Sequence, residues 1–250
     1  MARFRICLLG NFETRAGTLP IALHLPKKAL GLLAFLATRP GQACSRDKLA
    51  GLLWGDDTTD QARHSLRQAL VSLRRAFAAW PALIVAEGDT LAFASSEGDV
   101  DVAAFEHLVA LGDWSSLEQG ATLYRGDFLE GFYLNEAAFE EWSVGERERL
   151  RELAVEAIAR LLEHQHQDSA AATAIHTALR LLRLDGTQEA VHRTLIRLYA
   201  RQGRRAEALR QYQVCVNALR RELGIEPEAE TVRLYREIVQ KRPARTFSEA

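Results

Sequence analysis

The chain has 250 residues, of which 48% are hydrophobic and 26% are charged, and its formal net charge is −1. This composition is typical of a globular protein with one large or two ordinary domains. The three cysteines (Cys7, Cys44 and Cys215) are widely spaced and fit neither a disulfide framework nor a zinc site. Since no apolar run is long enough for a signal peptide or a membrane span, we predict a cytoplasmic protein with no membrane partner.

The charges are unevenly distributed along the chain. Residues 1–96 contain 12 Lys and Arg against 7 Asp and Glu, whereas residues 97–250 contain 20 against 26. A basic first third and an acidic remainder indicate two domains with different partners. The alternative is a chance asymmetry in a soluble protein.

The first third of the chain combines strand and helix patterns. The segment "RFRICLLG" alternates as a strand does, and "FETRAG" and "IALHL" extend a small β region. Helices are predicted for "PKKALGLLAFLATRPG", for "CSRDKLAGLLWG" with Ser45 as its N-cap, and for residues 59–78, capped by Thr59 or Asp60. A hairpin around Glu87-Gly88-Asp89 follows. This order is that of an α+β winged helix-turn-helix, whose third helix would enter a DNA major groove.

The third predicted helix has two different faces. Leu66, Leu70, Leu73 and Phe77 recur at helical spacing and form a stripe that must be buried. The other side is basic or neutral, and residues 62–77 contain no acidic residue. Because a merely solvated face normally mixes both signs of charge, we predict that this face binds DNA.

The residues of this face divide into two groups by their angular position. Those opposite the apolar stripe are the candidates for base-edge contact: His64, Gln68, Val71, Ser72 and Arg75. Gln68 suits adenine, Arg75 suits guanine or a phosphate, and Val71 suits the thymine methyl group. Those on one flank are the candidates for phosphate contact: Arg63, Arg67 and Arg74. As an alternative, Arg74 and Arg75 are surface residues favoured by the dipole at the helix C-terminus.

The start of the second predicted helix is a further candidate for phosphate contact. Ser45, Arg46 and Lys48 lie where backbone amides and the positive end of a helix dipole can hold an anion. Ordinary helix capping explains the same residues equally well.

Residues 97–240 read as helical and contain an internal repeat. At an offset of about 34 residues, the length of a tetratricopeptide repeat, Leu161 aligns with Leu195, Ala174 with Ala208, and Leu181 with Cys215. Small residues at the Ala positions let two helices approach closely. We therefore predict an all-α, tetratricopeptide-like domain, with an unspecialised helical bundle as the alternative and residues 241–250 as a tail or linker.

The sequence predicts no catalytic residue, metal site or cofactor. His164 and His166 are alternate residues of a predicted helix, so they point apart, and no third ligand lies nearby. Asp127 and Glu130 in "YRGDFLEGF" lack an accompanying nucleophile or base, which favours a turn between helices. No phosphate-binding glycine loop is present in the sequence. We expect that the protein is not an enzyme.

Several segments together resemble a known family. They are "LLGNFETRAG", "PKKALGLLAFLA", "SRDKLAGLLWGDD", "ARHSLRQALVSLRRAF", "YRGDFLEGF", "FEEWSVGERERLRELA" and "GRRAEALRQYQ…LRRELGIEPEAE". In this order they resemble the Streptomyces antibiotic regulatory proteins, which join a response-regulator-type winged helix (here residues 1–96) to a bacterial transcriptional activator domain (here residues 97–240). The resemblance implies a transcription activator that reads direct repeats in double-stranded DNA, often as head-to-tail protomers, and recruits RNA polymerase.

One departure from the family pattern keeps a second function open. The hairpin carries Glu87 and Asp89, which phosphates would repel, so we do not expect this wing to enter the minor groove. In the alternative, the chain is the N-terminal regulatory or interaction module of a larger signalling protein, fused for example to a cyclase or an ATPase, with weak or no DNA binding.

Overall fold

The computed structural model describes residues 4–17, 19–94, 100–167 and 171–240. The chain divides into two compact units, Met1–Ala157 and Ile158–Ala250. The division falls within a long helix, α6 (Ala137–Gln167), and the first unit extends well beyond the predicted winged helix. The domain limits 1–96 and 97–240 stay a prediction, and the predicted tail at 241–250 lies outside the described residues.

The first unit begins with an antiparallel sheet in the order β1-β2-β3. Its strands are β1 (Phe4–Cys7), β2 (Glu13–Ala16) and β3 (Leu19–Pro20). Phe4 pairs with Ala16, and Ile6 pairs with Thr14. The predicted strand "IALHL" is wrong, because pairing stops near Pro20 and the residues up to Pro26 are irregular. Proline cannot donate to a ladder, which weakens a strand at this edge.

Three helices and a second sheet complete the predicted winged helix-turn-helix. The elements are α1 (Lys27–Ala37), β4 (Cys44–Ser45), α2 (Arg46–Leu53), α3 (Thr59–Ala76), β5 (Ile84–Glu87) and β6 (Thr90–Phe93), with the sheet order β4-β6-β5. Ser45 caps α2 as predicted, its Oγ accepting from the Lys48 amide. The N-cap of α3 is Thr58 rather than Thr59 or Asp60, because the Gln61 side chain accepts the Thr58 N–H and closes a capping box.

The helices that follow are packed onto this part of the first unit. They are α4 (Asp101–Leu111), α5 (Trp114–Leu123) and the first part of α6. The buried Asp101 carboxylate accepts hydrogen bonds from the backbone N–H groups of Leu8 (2.8 Å) and Leu9 (3.1 Å). The buried Glu136 accepts from the Gly55 amide and forms an ion pair with Lys28. Buried polar contacts therefore join residues 100–157 to the winged helix.

The second unit contains the rest of α6, then α7 (Ala171–Leu184), α8 (Glu189–Arg201), α9 (Arg205–Glu222) and α10 (Ala229–Gln240). The aligned small residues Ala174 and Ala208 are fully buried, and so are Leu195 and Cys215. Gly203 forms the turn between α8 and α9 at φ +75°, a conformation that favours glycine. The predicted fold class, a winged helix followed by a tetratricopeptide-like helical domain, is confirmed.

Arginine side chains fasten α10 to the other helices of the second unit. Arg193 on α8 lies 2.8 Å from Glu228 and 3.6 Å from Glu230, and Arg197 lies 2.6 Å from Glu230. At the other end of α10, the guanidinium group of Arg205 donates to the backbone carbonyls of Ile238 (3.0 Å) and Val239 (2.8 Å). Both ends of α10 are thus held by arginines.

A buried histidine joins α8 to α9. The ring nitrogens of His192 lie 3.0 Å from the Gly186 carbonyl oxygen and 2.7 Å from the Gln211 side-chain nitrogen. A neutral ring satisfies both contacts, because Nε2–H donates to the carbonyl while Nδ1 accepts from the amide. Burial lowers the pKa of His192 below its ordinary value.

Candidate nucleic-acid interface

The apolar stripe of α3 determines which of its residues face outward. Leu66, Leu70, Leu73 and Phe77 are buried, as predicted. The opposite side is exposed at nearly every predicted contact position: Arg63, His64, Arg67, Gln68, Val71, Arg74 and Arg75. Ser72 is half-buried, and its hydroxyl donates to the Gln68 carbonyl oxygen of the same helix (3.0 Å). The fold therefore collects the predicted α3 residues on one accessible surface.

The arginines of this surface differ in their partners. Among the described residues, no carboxylate lies within ion-pair distance of Arg67, Arg74 or Arg75. Arg63 is different, because its Nε donates to Oδ1 of Asp47 on α2 (2.8 Å) and its Nη2 donates to Oδ2 (2.9 Å). The hydrogen bond from Arg63 lowers the pKa of the Asp47 carboxyl group, and the same bond raises the pKa of Arg63. Three of the four guanidinium groups are thus available to an external anion.

Two backbone amides at the N-terminus of α2 already have acceptors within the chain. The Arg46 N–H donates to the Asp89 carbonyl oxygen (2.9 Å), and the Lys48 N–H donates to Ser45 Oγ (3.3 Å). The Arg46 Nε also lies 4.0 Å from the Asp89 carboxylate. Because both amides have intramolecular partners, the side chains of Arg46 and Lys48 are the main cationic donors that this helix end offers to a phosphate.

The hairpin turn, the start of α2 and the first half of α3 enclose an open depression. Its lining residues are Arg46, Asp60, Arg63, Leu66, Arg67 and Asp89. Glu87 is exposed at the end of β5, and the side chain of Asp89 is 72% exposed. The wing therefore brings negative charge to the edge of a largely cationic surface.

No linear motif points to Asp47. It is 16 residues from Arg63 and on a different helix, and no spacing rule relates residues across a helix-turn-helix turn. Its only sequence signal is that an acidic residue stands in the first turn of α2, the helix before α3. A favourable interaction with the dipole of α2 already explains such a residue.

The segment "YRGDFLEGF", which contains Asp127 and Glu130, lies between α5 and α6. Asp127 accepts from the Tyr124 hydroxyl (3.1 Å), and its segment forms a turn between α5 and α6, as predicted, with Leu129 at φ 52°. Within the described part of the chain, His, Cys, Asp and Glu side chains form no group of three suited to a metal ion. The side chain of His166 lies outside the described residues. None of the described helices is long and apolar enough to cross a membrane.

Comparison with protein families matches two domains along the chain. Residues 100–239 match the bacterial transcriptional activator domain, which is more than half of the chain. Residues 21–86, which include α1, α2 and α3, match the family described as "Transcriptional regulatory protein, C terminal". The exposed residues of α3 and the start of α2 lie within this second match, and Glu87 and Asp89 of the hairpin follow it.

The chain is also similar to two individual proteins. It is 25% identical over 225 residues to the regulatory protein AfsR of Streptomyces coelicolor, a match that covers 85% of this chain and 22% of AfsR. It shares its fold (TM-score 0.70, 21% identity) with Mycobacterium tuberculosis EmbR, solved in complex with a low-affinity phosphopeptide; the match covers 97% of this chain and 66% of that one. The chain thus spans about a fifth of AfsR and about two thirds of the EmbR chain. It belongs to the Streptomyces antibiotic regulatory protein family, whose members carry the bacterial transcriptional activator domain and are transcription regulators rather than a class of enzyme.

Proposed function

We propose that the chain is a sequence-specific DNA-binding transcription activator that reads the major groove with α3. One observation carries this proposal: α3 buries its apolar stripe and leaves three arginines exposed with no carboxylate of the described residues within ion-pair distance. A helix of this diameter fits the major groove, and unpaired guanidinium groups are the strongest protein ligands for phosphate and for guanine. The family match supports the same function.

The residues opposite the stripe are assigned to base edges. Gln68 would donate to and accept from adenine, and the exposed methyl groups of Val71 would contact a thymine methyl. Arg75 near the C-terminal end of α3 would reach guanine or a phosphate, and His64 lies near the N-terminal end. Ser72 is the weakest member of this set, because its hydroxyl proton is already donated within the helix.

The flank of α3 and the start of α2 are assigned to the DNA backbone. Arg67 and Arg74 would each neutralise a phosphate, and the side chains of Ser45, Arg46 and Lys48 would contact the neighbouring strand. The wing would make no such contact, because Glu87 and Asp89 are exposed and acidic. Binding affinity would therefore come from α3 and α2 rather than from the hairpin.

The partners of the activator follow from its family. The helical domain would contact RNA polymerase subunits or a second protomer, and two protomers would occupy direct repeats head to tail in the bacterial cytoplasm. Neither cofactor nor metal is needed for such a role. The alternative, a signalling module with weak or no DNA binding, rested on the acidic wing, and the family matches do not favour it.

Selection of bound sequences from a random pool of double-stranded DNA tests the proposal. We expect a recovered site with regularly spaced direct repeats, and an affinity for it that falls steeply as salt is raised, because bound phosphates release counterions. Uniform recovery of all sequences, or an affinity unaffected by salt, would contradict the proposal.

A further inference from the structure

The Asp47–Arg63 pair occupies an unexpected place, since it puts a carboxylate on a surface proposed to bind a polyanion. Both side chains are about half exposed, at 55% for Asp47 and 51% for Arg63. Exposed ion pairs contribute little to folding stability, and an added negative charge weakens attraction to phosphate. General affinity for DNA does not account for Asp47, and its favourable place in the first turn of α2 requires no two-point contact with Arg63.

The geometry of the pair leaves one edge of the guanidinium group free. Asp47 accepts from Nε and Nη2 of Arg63, at 2.8 and 2.9 Å. A guanidinium group has five N–H donors, so both Nη1 donors and the second Nη2 donor remain. These form the end-on edge, which matches the O6 and N7 acceptors of guanine in the major groove.

The position of Arg63 on the fold suits base contact. It lies near the N-terminal end of α3, where recognition helices approach base edges. It also lines the open depression together with Arg67, Asp60 and Leu66. Because its side edge is held by α2, the guanidinium group is oriented before DNA arrives, and less side-chain entropy is lost on binding.

The geometry points to Asp47 as a positioning residue that holds Arg63 for bidentate recognition of a guanine and discourages its use as a general phosphate contact. This inference rests on the proposed function, and it assigns Arg63 a base-reading role in place of the phosphate role expected from the sequence. The negative charge of Asp47 also opposes non-specific binding, so the pair raises specificity at a cost in total affinity.

The test compares three variants of the full chain, using the DNA site recovered from the random pool and a scrambled duplex. Asp47→Asn removes the charge and one strong acceptor but keeps the shape. Arg63→Lys keeps the positive charge but cannot bind Asp47 and guanine in two-point geometry. Asp60→Asn is the matched control, because Asp60 lines the same depression and makes no hydrogen bond to Arg63 in the described structure.

We expect Asp47→Asn and Arg63→Lys each to lower the ratio of specific to non-specific affinity about tenfold, equivalent to about 1.4 kcal/mol. Asp47→Asn should also strengthen binding to the scrambled duplex, whereas Asp60→Asn should strengthen it without changing the ratio. Adding Asp47→Asn to Arg63→Lys should lower the ratio little further. At the guanine that Arg63 contacts, an analogue without N7 should weaken binding by the wild type. The same replacement should leave binding by the Asp47→Asn and Arg63→Lys variants nearly unaffected.

Two results would overturn the inference while leaving the proposed function intact. In the first, the wild-type chain selects a DNA site, but the Asp47→Asn variant keeps the wild-type ratio of specific to non-specific affinity. In the second, the Asp60→Asn variant loses the ratio equally, since charge alone would then explain the effect. If the wild-type chain shows no sequence preference, the proposed function itself fails. Thermal melts of all variants establish that each is folded.

Discussion

The guanidinium groups of the α3 arginines and those of the second unit differ in their hydrogen-bond and ion-pair partners within the chain. In the second unit, Arg193 pairs with glutamates at the start of α10, Arg205 donates to backbone carbonyls at its end, and Arg220 forms a two-point pair with Glu226. On α3, Arg67 and Arg74 have no carboxylate partner among the described residues. The number of arginines in a region is therefore a poor guide to nucleic-acid binding. Their internal pairing is more informative, because a guanidinium group held by a carboxylate offers fewer donors and less uncompensated charge to a phosphate.

The largest effect should come from removing the unpaired arginines. We expect Arg67→Ala combined with Arg74→Ala to lower the affinity for the selected DNA site roughly 100-fold at 50 mM salt, because two phosphate contacts are lost. The slope of log affinity against log salt should become shallower by about 1.8. Filter binding or fluorescence anisotropy across a salt series measures both quantities.

The matched control removes two paired arginines from α9. Arg220 and Arg221 pair with Glu226 and Glu222, so their replacement by alanine should leave the salt slope unchanged. An equal loss of affinity in the control would erase the contrast between the two regions.

The second effect concerns the stability of the second unit. Arg193 is 13% exposed and contacts Glu189, Glu228 and Glu230. We expect Arg193→Ala to lower the free energy of unfolding by about 2 kcal/mol, between the values for exposed and buried pairs, because Glu228 and Glu230 are themselves more than half exposed. Urea denaturation followed by circular dichroism measures this change. The salt slope of DNA binding should not change, and a change in it would show that the paired arginines also contact DNA.

The third effect separates base reading from charge. We expect Gln68→Ala to reduce the preference for adenine at one position of the site about tenfold while the salt slope stays constant, because an uncharged base contact is lost. Repeating the random-pool selection with the variant measures the preference. Gln213→Ala, an exposed glutamine on α9, is the control and should recover the wild-type site.

The smallest expected effect is a pH dependence of stability that comes from the buried histidine His192. Burial lowers the pKa of His192 below its ordinary value of 6.5, so the unfolded chain binds this proton at a higher pH than the folded chain does. The stabilisation from the neutral ring is complete above about pH 6.5 and is lost as the pH falls towards the folded-state pKa. Urea midpoints measured from pH 7.5 to 5 should decline less steeply for His192→Gln than for the wild type.

His176→Gln provides the comparison for an outward-facing ring, because His176 is exposed on α7. Its urea midpoints should follow the wild-type pH dependence. If the two variants behave alike, burial is not the cause of the effect.

The order of elements in the first unit could be predicted because its signals are local. Apolar periodicity identified the buried face of α3, and Ser45 identified the start of α2. Where several capping residues compete, the local signal is ambiguous, and the N-cap of α3 is Thr58 because only that position places Gln61 to complete the capping box. The strand expected after Pro20 failed because its pairing depends on a ladder that proline interrupts.

The candidate surface could be predicted only in part, for a related reason. Helical geometry alone gives the outward residues of α3, since all of them belong to one element. The Asp47–Arg63 pair depends on the angle between two helices, and the contact of Asp101 with Leu8 spans 93 residues. Composition and periodicity carry no information on such contacts. The boundary at residue 96 stays a prediction, and the first compact unit continues to Ala157.

The hydrogen bonds to the Asp101 carboxylate determine how far the first unit can be shortened. A fragment that stops after β6 would remove the carboxylate that accepts hydrogen bonds from the Leu8 and Leu9 amides. It would also uncover the pocket in which Lys28 meets Glu136. A shorter fragment for testing the proposed DNA binding is therefore best ended after Ala157, so that the Leu8 and Leu9 amides keep the Asp101 carboxylate as their acceptor.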